Sequence, residues 1–292
     1  MNNLRGSLMM VAAMAGFAIE DAVIKYLAAS LPVGQIMVLI GLSGALVFGL
    51  IAHRRGYSLF VPEVLRGAVL VRNLTEMLGA AAFVMAIVLA PLAAVTAILQ
   101  AMPLVVTLGA ALFLGEPVGW RRWSAILIGF AGVVLIVRPG SADFDPASLL
   151  AVIAVLALSA RDLATRRVPV RVHSLQLSGW GFAMVAPAGL LLMVAAGAAP
   201  VMPVASQWGW LAAALGAGIL AYAALVSATR LGDIAVTTPF RYSRLIFAML
   251  IGFVIFGEIP DAMTLAGSAL VVGAGLYTLW RQLRLQRAML RR

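Results

Sequence analysis

Charged side chains interrupt the apolar text of this chain at a few places, and each spacing suggests a chemistry. Residues 16–28 read GFAIEDAVIKYLA, with Glu20 and Asp21 adjacent and Lys25 four residues after Asp21. On a helix, an acid followed by a base at i+4 makes a pair on one face. Arg72 and Glu76 stand at the same separation, and Asp162 and Arg166 repeat the acid-then-base order directly after Arg161. Arg241 and Arg244, three apart, could meet a substrate carboxylate or join an ion-pair network. Groups of this kind can latch helices, line a wet cavity or carry a proton. None of these segments has the spacing of a metal site, a Walker loop or a cofactor fingerprint, so no cofactor and no catalytic residue is expected.

The elements that hold these charges are greasy. The chain has 292 residues, 63% hydrophobic and 11% charged, whereas a soluble domain carries about a quarter charged residues. Ten apolar segments follow one another: Ser7–Leu27, Pro32–Ala52, Gly67–Leu89, Leu92–Leu114, Trp123–Val137, Ala147–Thr165, Leu175–Ala196, Trp208–Thr229, Ile234–Phe256 and Ala262–Trp280. Most are near the ~20 residues that span a bilayer core as a helix. They do not alternate as barrel strands do. There is no cysteine, which excludes disulfides, thiolate metal sites and Cys nucleophiles.

Placing the N-terminus inside puts fifteen basic residues on the inner side: Arg5, Arg54, Arg55, Arg66, Arg121, Arg122, Arg166, Arg167, Arg171, Arg230, Arg281, Arg284, Arg287, Arg291 and Arg292. Arg138, beside Asp143 and Asp145, is the one expected outside. Lopsidedness of this kind sets orientation. The net charge of +10 is thus a topology signal, not a nucleic-acid footprint. The expectation is a multi-pass membrane protein with both termini cytoplasmic.

A shift of 141 residues brings related text into register. Asp21 falls on Asp162, Lys25 on Arg166, Gln35 on Gln176, Ala94-Val95-Thr96 on Ala235-Val236-Thr237, and Gly132 on Gly273. One inserted residue lays Phe113–Pro117 (FLGEP) over Ile255–Ile259 (IFGEI). The units are residues 1–140 and residues 141–292, the second ending in a basic tail. Each holds five helices, an odd number, so the second should enter the membrane inverted relative to the first. The fold expected is all-α: ten transmembrane helices as two inverted five-helix repeats, a transporter design with its site near the midplane. Both halves lie in one chain, so a monomer is expected.

Ten helices in two units, with Gly115-Glu116 and Gly257-Glu258 after the fourth and ninth, resemble the EamA branch of the drug/metabolite transporter superfamily. Within it the chain resembles the YddG-type exporters of aromatic amino acids. The resemblance implies secondary or facilitative export of small organic metabolites by alternating access, with the lipid bilayer and a small-molecule substrate as the partners. Exporters of other metabolites or drugs, a channel and an intramembrane enzyme are the alternatives. Gly41–Gly44 spells the Gly-x-Ser-Gly of intramembrane serine proteases, but the two histidines, His53 and His173, fall in loops.

Glu20, Phe17, Gln100, Tyr222, Tyr242 and Arg244 are the candidates to line the cavity, with Phe83 as a further aromatic wall. Asp21, Lys25, Arg72, Glu76, Arg161, Asp162 and Arg241 are candidate gating or ion-pair residues. Asp21 with Lys25, and Asp162 with Arg166, read as a duplicated local pair. Arg72, Glu76, Arg161, Asp162, Arg241 and Arg244 read as one network closing the cytoplasmic side. Glu20, opposite Arg161 in the repeat, has no symmetric partner and is expected on a water-filled wall. Helices 1 and 6, whose clean apolar runs are short, are expected to be the interrupted pair. Pro103 should kink helix 4 as a hinge.

Overall fold

The computed structural model describes residues 3–59, 62–116, 118–169, 171–231 and 234–289. Of the residues used above, Pro117, Arg291 and Arg292 lie outside these ranges, and the side chains of Arg230, Ala235 and Arg287 are not described. The described residues form helices and no strand. In a bilayer, a helix satisfies its own backbone groups without neighbours. Ten segments are long and apolar enough to cross a membrane, and each matches one of the ten expected spans to within a few residues at most ends.

The helices are α1 (Asn3–Leu27), α2 (Val33–Arg54), α3 (Gly67–Leu89), α4 (Leu92–Leu99), α5 (Met102–Phe113) and α6 (Trp120–Val137) in the first half. The second half holds α7 (Ser148–Thr165), α8 (Ser174–Ala195), α9 (Ala205–Leu231), α10 (Ile234–Thr237), α11 (Ser243–Phe256) and α12 (Ala262–Met289). Spans four and nine are composite. The fourth is α4 plus α5, and the ninth contains α10, a 3-10 stretch Thr238–Tyr242 and α11.

The two halves are interleaved. The most extensive packing is α2 on α8, α1 on α9, α3 on α7 and α6 on α12, every one of them across the halves. The principal contacts map onto one another when the halves exchange roles: α1 on α9 becomes α7 on α3, and α1 on α11 becomes α7 on α5. Two self-paired contacts depend on glycine. Gly34 of α2 and Gly189 of α8 lie backbone to backbone, as do Gly132 of α6 and Gly267 of α12, so an added Cβ at either position meets the opposite carbonyl. Small residues let membrane helices approach in this way.

Gln35 and Gln176, repeat mates, do matching jobs. The Gln35 amide donates to the Val201 carbonyl at 2.5 Å and accepts the Val201 N–H at 2.8 Å. Gln176 donates to the Ser58 carbonyl and caps α8 by accepting the His173 N–H at 2.7 Å. Each glutamine therefore ties down a loop of the opposite half.

α4 is the centre of the core. Leu92, Ala93, Val95, Thr96, Ala97, Ile98 and Leu99 are all buried. The outward faces are apolar instead of polar, as on α2, where Leu42, Leu46 and Leu50 share an exposed stripe at i, i+4 and i+8. The Gly41–Gly44 match is packing: Gly41 abuts the backbone of α8 at Ala186, and Gly44 abuts the Phe182 ring. His173 caps α8 and stacks on Tyr57 at 4.1 Å.

Candidate functional site

The interrupted spans are the fourth and ninth, not the first and sixth. α1 and α7 run unbroken through their charges, because a charged side chain leaves the helix backbone intact, and Asp21, Lys25 and Arg161 find partners elsewhere in the chain. In the fourth span α4 stops at Leu99, and α5 restarts at Met102 with Pro103 in its first turn, where a missing N–H costs nothing. Pro103 thus sits at a break, not in a bent continuous helix. In the ninth span the chain tightens to a 3-10 stretch containing Pro239. The breaks meet: the Gln100 amide donates to the Arg241 carbonyl at 3.4 Å. These two residues are repeat mates, 141 apart.

Around this junction, side chains from α1, α3 and α11 converge. Arg244 donates to the Asp21 carboxylate at 2.6 Å, a pair between α11 and α1 whose Asp21 side chain is 5% exposed. The guanidinium lies 5.3 Å from the Phe17 ring centroid and 5.5 Å from that of Phe83, within cation–π range of both. Its Nε is buried without a hydrogen-bond partner among the described residues. Glu20, next to Asp21, rests against Gly218 of α9, where an added Cβ would come within 2.6 Å of the carboxylate. Glu20 has no ion pair or hydrogen bond among the described residues. Tyr242 packs against Gly275 of α12, where a Cβ would collide with its hydroxyl.

The six-residue cytoplasmic network divides. Arg72 and Glu76 pair on α3 at 3.4 Å, Glu76 receives Arg161 of α7 at 3.2 Å, and Arg161 also holds Asp162 at 2.7 Å. Arg72 further donates to Asn73 at 3.1 Å. This chain joins α3 to α7, helices already packed along their length. Arg244 is not part of it, being paired with Asp21. Arg241 is not either: it is exposed and forms no ion pair among the described residues. It nevertheless lies close to Arg161, Asp162, Arg244 and Tyr242. Tyr222 differs from expectation too. Its hydroxyl bonds Ser178 at 2.5 Å and its ring meets Phe48 edge-on at 5.2 Å, in a cluster completed by Phe182.

The local i,i+4 pairs at Asp21–Lys25 and Asp162–Arg166 are not made. Lys25 instead reaches Glu258 at 2.5 Å and the Ala90 carbonyl at 2.7 Å, and Arg166 reaches Glu116 at 2.8 Å. The two ion pairs are one interaction used twice, with the halves exchanged. Gly115 (φ +69°) and Gly257 (φ +65°) adopt the left-handed conformation that ends α5 and α11. The following N–H then returns to the helix, Glu116 to Ala110 at 3.2 Å and Glu258 to Gly252 at 2.9 Å. Each Gly-Glu thus turns a carboxylate back across the end of its span.

Glu258 also accepts the Leu92 N–H at 2.7 Å, a negative charge on the start of α4. Its latch therefore joins the end of α1, the α3–α4 link and the α11–α12 link. The copies differ in exposure: Lys25 and Glu258 are 13% and 16% exposed, Arg166 and Glu116 47% and 49%. Glu116 and Glu258 escaped selection as site residues, although the recurrence of both the acid and the base at matching offsets was the signal for this pairing.

The profile of the EamA-like transporter family matches residues 4–138 and again residues 145–280. The chain is 26% identical to the S-adenosylmethionine uptake transporter of Rickettsia felis, over 73% of this chain and 71% of that protein. It is 32% identical to the riboflavin transporter of Rhizobium johnstonii, over 75% and 72%. It is 27% identical to the pseudopaline exporter CntI of Pseudomonas aeruginosa, over 92% and 94%. A solved crystal structure superposes with a TM-score of 0.62 at 25% identity, covering 95% of this chain and 98% of that one. With one family matched by both five-span halves, and named relatives that move small molecules, the chain belongs to the EamA-like transporter family of the drug/metabolite transporter superfamily: a multi-pass membrane transporter and not an enzyme.

Proposed function

We propose that this protein is a secondary or facilitative exporter of small organic metabolites, with amino acids, the aromatic and hydrophobic ones in particular, as cargo. The observation that carries this reading is the meeting of two broken spans at repeat-related residues, Gln100 and Arg241, with the Asp21–Arg244 pair and the Phe17 and Phe83 rings on the helix that follows the second break and its neighbours. Broken helices free backbone groups for a ligand where unbroken ones cannot. Phe17, Phe83 and Tyr242 supply apolar surface there. The arginine-rich loops support cytoplasmic termini in a bacterial inner membrane, and the odd number of spans per half supports inverted repeats. A single chain contains both halves, which supports a working monomer.

In this reading the two Gly-Glu latches alternate. The part-buried Lys25–Glu258 pair closes the outer face while the more exposed Arg166–Glu116 pair marks the face open to water. The Arg72–Glu76–Arg161–Asp162 chain keeps α3 and α7 moving together. Relatives named for S-adenosylmethionine, riboflavin and pseudopaline favour a second reading with the same mechanism and wider cargo, in either direction. Counterflow by purified protein in liposomes tests both, using labelled amino acids, S-adenosylmethionine and riboflavin, with and without a pH gradient. Saturable, accelerated exchange is expected. Unsaturable flux without acceleration identifies a channel and removes the proposal.

A further inference from the structure

We infer that the recess between the second half of α2 and the loop after it binds an anionic phospholipid, with the phosphate on Arg54 and Arg55 and one acyl chain along Leu46 and Leu50. The site is separate from the junction of the broken spans and independent of the cargo. Leu42, Leu46 and Leu50 form an exposed stripe on α2, and three and four residues beyond Leu50 stand His53 and Arg54, both exposed. One helix face is thus apolar for three turns and then basic. At 1.5 Å per residue, Leu42 lies about 14 Å from the start of α2 at Val33 and about 18 Å from its end at Arg54. Half of a bilayer's hydrocarbon core is about 15 Å thick. The stripe therefore runs from the midplane to the headgroups of one leaflet.

The loop turns this face into a recess. Gly56, at φ +80°, reverses the chain so that the Tyr57 N–H returns to the Ala52 carbonyl at 2.9 Å. Leu59 then wedges between Gly49 of α2 and Gly179 of α8, 3.0 and 2.8 Å from where a Cβ would stand on each. The Trp180 indole donates to the Leu59 carbonyl at 2.7 Å, the Gln176 amide donates to the Ser58 carbonyl, and the Tyr57 ring stacks on His173. All three partners lie on α8 or at its cap. The loop is pinned, and a recess of about 500 Å³ stands ready, with Ala45, Leu46 and Leu50 on its wall and His53 and Tyr57 at its mouth. A site formed in advance spares the ligand the cost of ordering it.

The mouth is cationic. Arg54 and Arg55 are exposed and form no ion pair among the described residues. The acids at this end of the molecule are already taken: Glu63 holds Arg171 at 2.6 Å, and Glu116 holds Arg166 at 2.8 Å. The C-terminus of a helix carries about half a negative charge, which two guanidiniums outweigh. Guanidinium forks match phosphate oxygens in pairs, and basic pockets at the ends of membrane helices hold acidic headgroups. Free phosphate would leave the apolar wall uncovered, and a neutral lipid would leave the arginines unmatched. An anionic phospholipid answers both.

The test titrates the purified protein in detergent micelles with dioleoyl phosphatidylglycerol or dioleoyl phosphatidylcholine and reads the bound lipid by native mass spectrometry. The unaltered protein should prefer phosphatidylglycerol about twentyfold, at about fivefold per arginine. R54Q/R55Q should lose the preference. Ala45→Phe, which fills the recess and keeps both arginines, should weaken phosphatidylglycerol several-fold. R281Q/R284Q, which removes two arginines from the end of α12, should keep the preference of the unaltered protein. Equal binding of the two lipids by the unaltered protein overturns the inference. So does an equal loss of preference in the two double variants, which would make the whole basic face responsible, and so does unchanged binding by Ala45→Phe. Displacement of the lipid by an equal concentration of glycerol 3-phosphate overturns it too, since the phosphate alone would then be the ligand.

Discussion

Replacing Glu258 by Gln removes one negative charge and leaves the local shape almost intact. The Leu92 N–H, now held at 2.7 Å by one carboxylate oxygen, can still bond the amide oxygen. Lys25, however, loses its counter-ion and keeps only the Ala90 carbonyl at 2.7 Å and the Phe256 ring at 5.3 Å. Orphaning one member of a buried ion pair costs about 3–5 kcal/mol, and the residual exposure and remaining contacts bring the expected loss to about 2–3 kcal/mol. Glu116→Gln makes the same chemical change at the repeat-related latch. There both side chains are about half exposed, and the loss expected for such a pair is at most about 1 kcal/mol. Unfolding in mixed micelles titrated with SDS measures both. The double variant K25M/E258Q should be more stable than E258Q alone, since it removes the stranded ammonium. Equal losses at the two glutamates, or a double variant worse than the sum of its singles, would refute the reasoning from burial.

Three further outcomes follow from the geometry. D21N and R244Q should each destabilise by about 3 kcal/mol, and the pair together by clearly less than the sum, because each alone strands a buried charge; additive losses in a double-mutant cycle would dissolve the pair. Gly34→Ala drives a methyl into the Gly189 backbone and should cost about 1–3 kcal/mol, whereas Gly209→Ala, facing open space on α9, should cost nothing or stabilise slightly. At the end of α6, the hydrogen-bonding Arg138 guanidinium and the Thr264 N–H hold the Asp261 carboxyl down to about 2. A depressed carboxyl stabilises the fold above its unfolded value and stops doing so as pH falls through its folded value. The stability advantage of wild type over D261N should therefore be full above pH 4 and vanish near pH 2; an advantage that persists unchanged to pH 2 contradicts this.

The ten spans were legible because membrane helices are set by length and hydropathy, and the repeat because Asp162, Arg166 and Gln176 kept their register with Asp21, Lys25 and Gln35. The breaks were not. Charges in α1 and α7 shorten the apolar run without touching the backbone, while the true interruptions at Gln100–Ala101 and Thr238–Tyr242 lie inside segments long enough to read as single spans, with only Gln100, Pro239 and Arg241 to mark them. Local spacing also misassigned the pairs. The i,i+4 rule saw Asp21 with Lys25, but tertiary partners 223 and 233 residues away took both. Of the residues named from the sequence, Phe17 and Phe83 flank Arg244, which pairs with Asp21, and Gln100 meets the Arg241 backbone. Tyr222 joined an aromatic cluster that no periodicity announces.

The interleaving of the halves has a consequence for how the chain is made. α1, α2 and α3 have their principal partners in α9, α8 and α7. When the first five spans leave the ribosome, the surfaces they will pack against do not yet exist. Contacts among the first five spans are sparse, so most of their packing is completed only when the second set arrives. Assembly is then a meeting of two strangers of equal size and not the growth of one nucleus. In physical terms the protein is a heterodimer whose subunits share a peptide bond, and co-expressing residues 1–140 and 141–292 as separate chains should regenerate it.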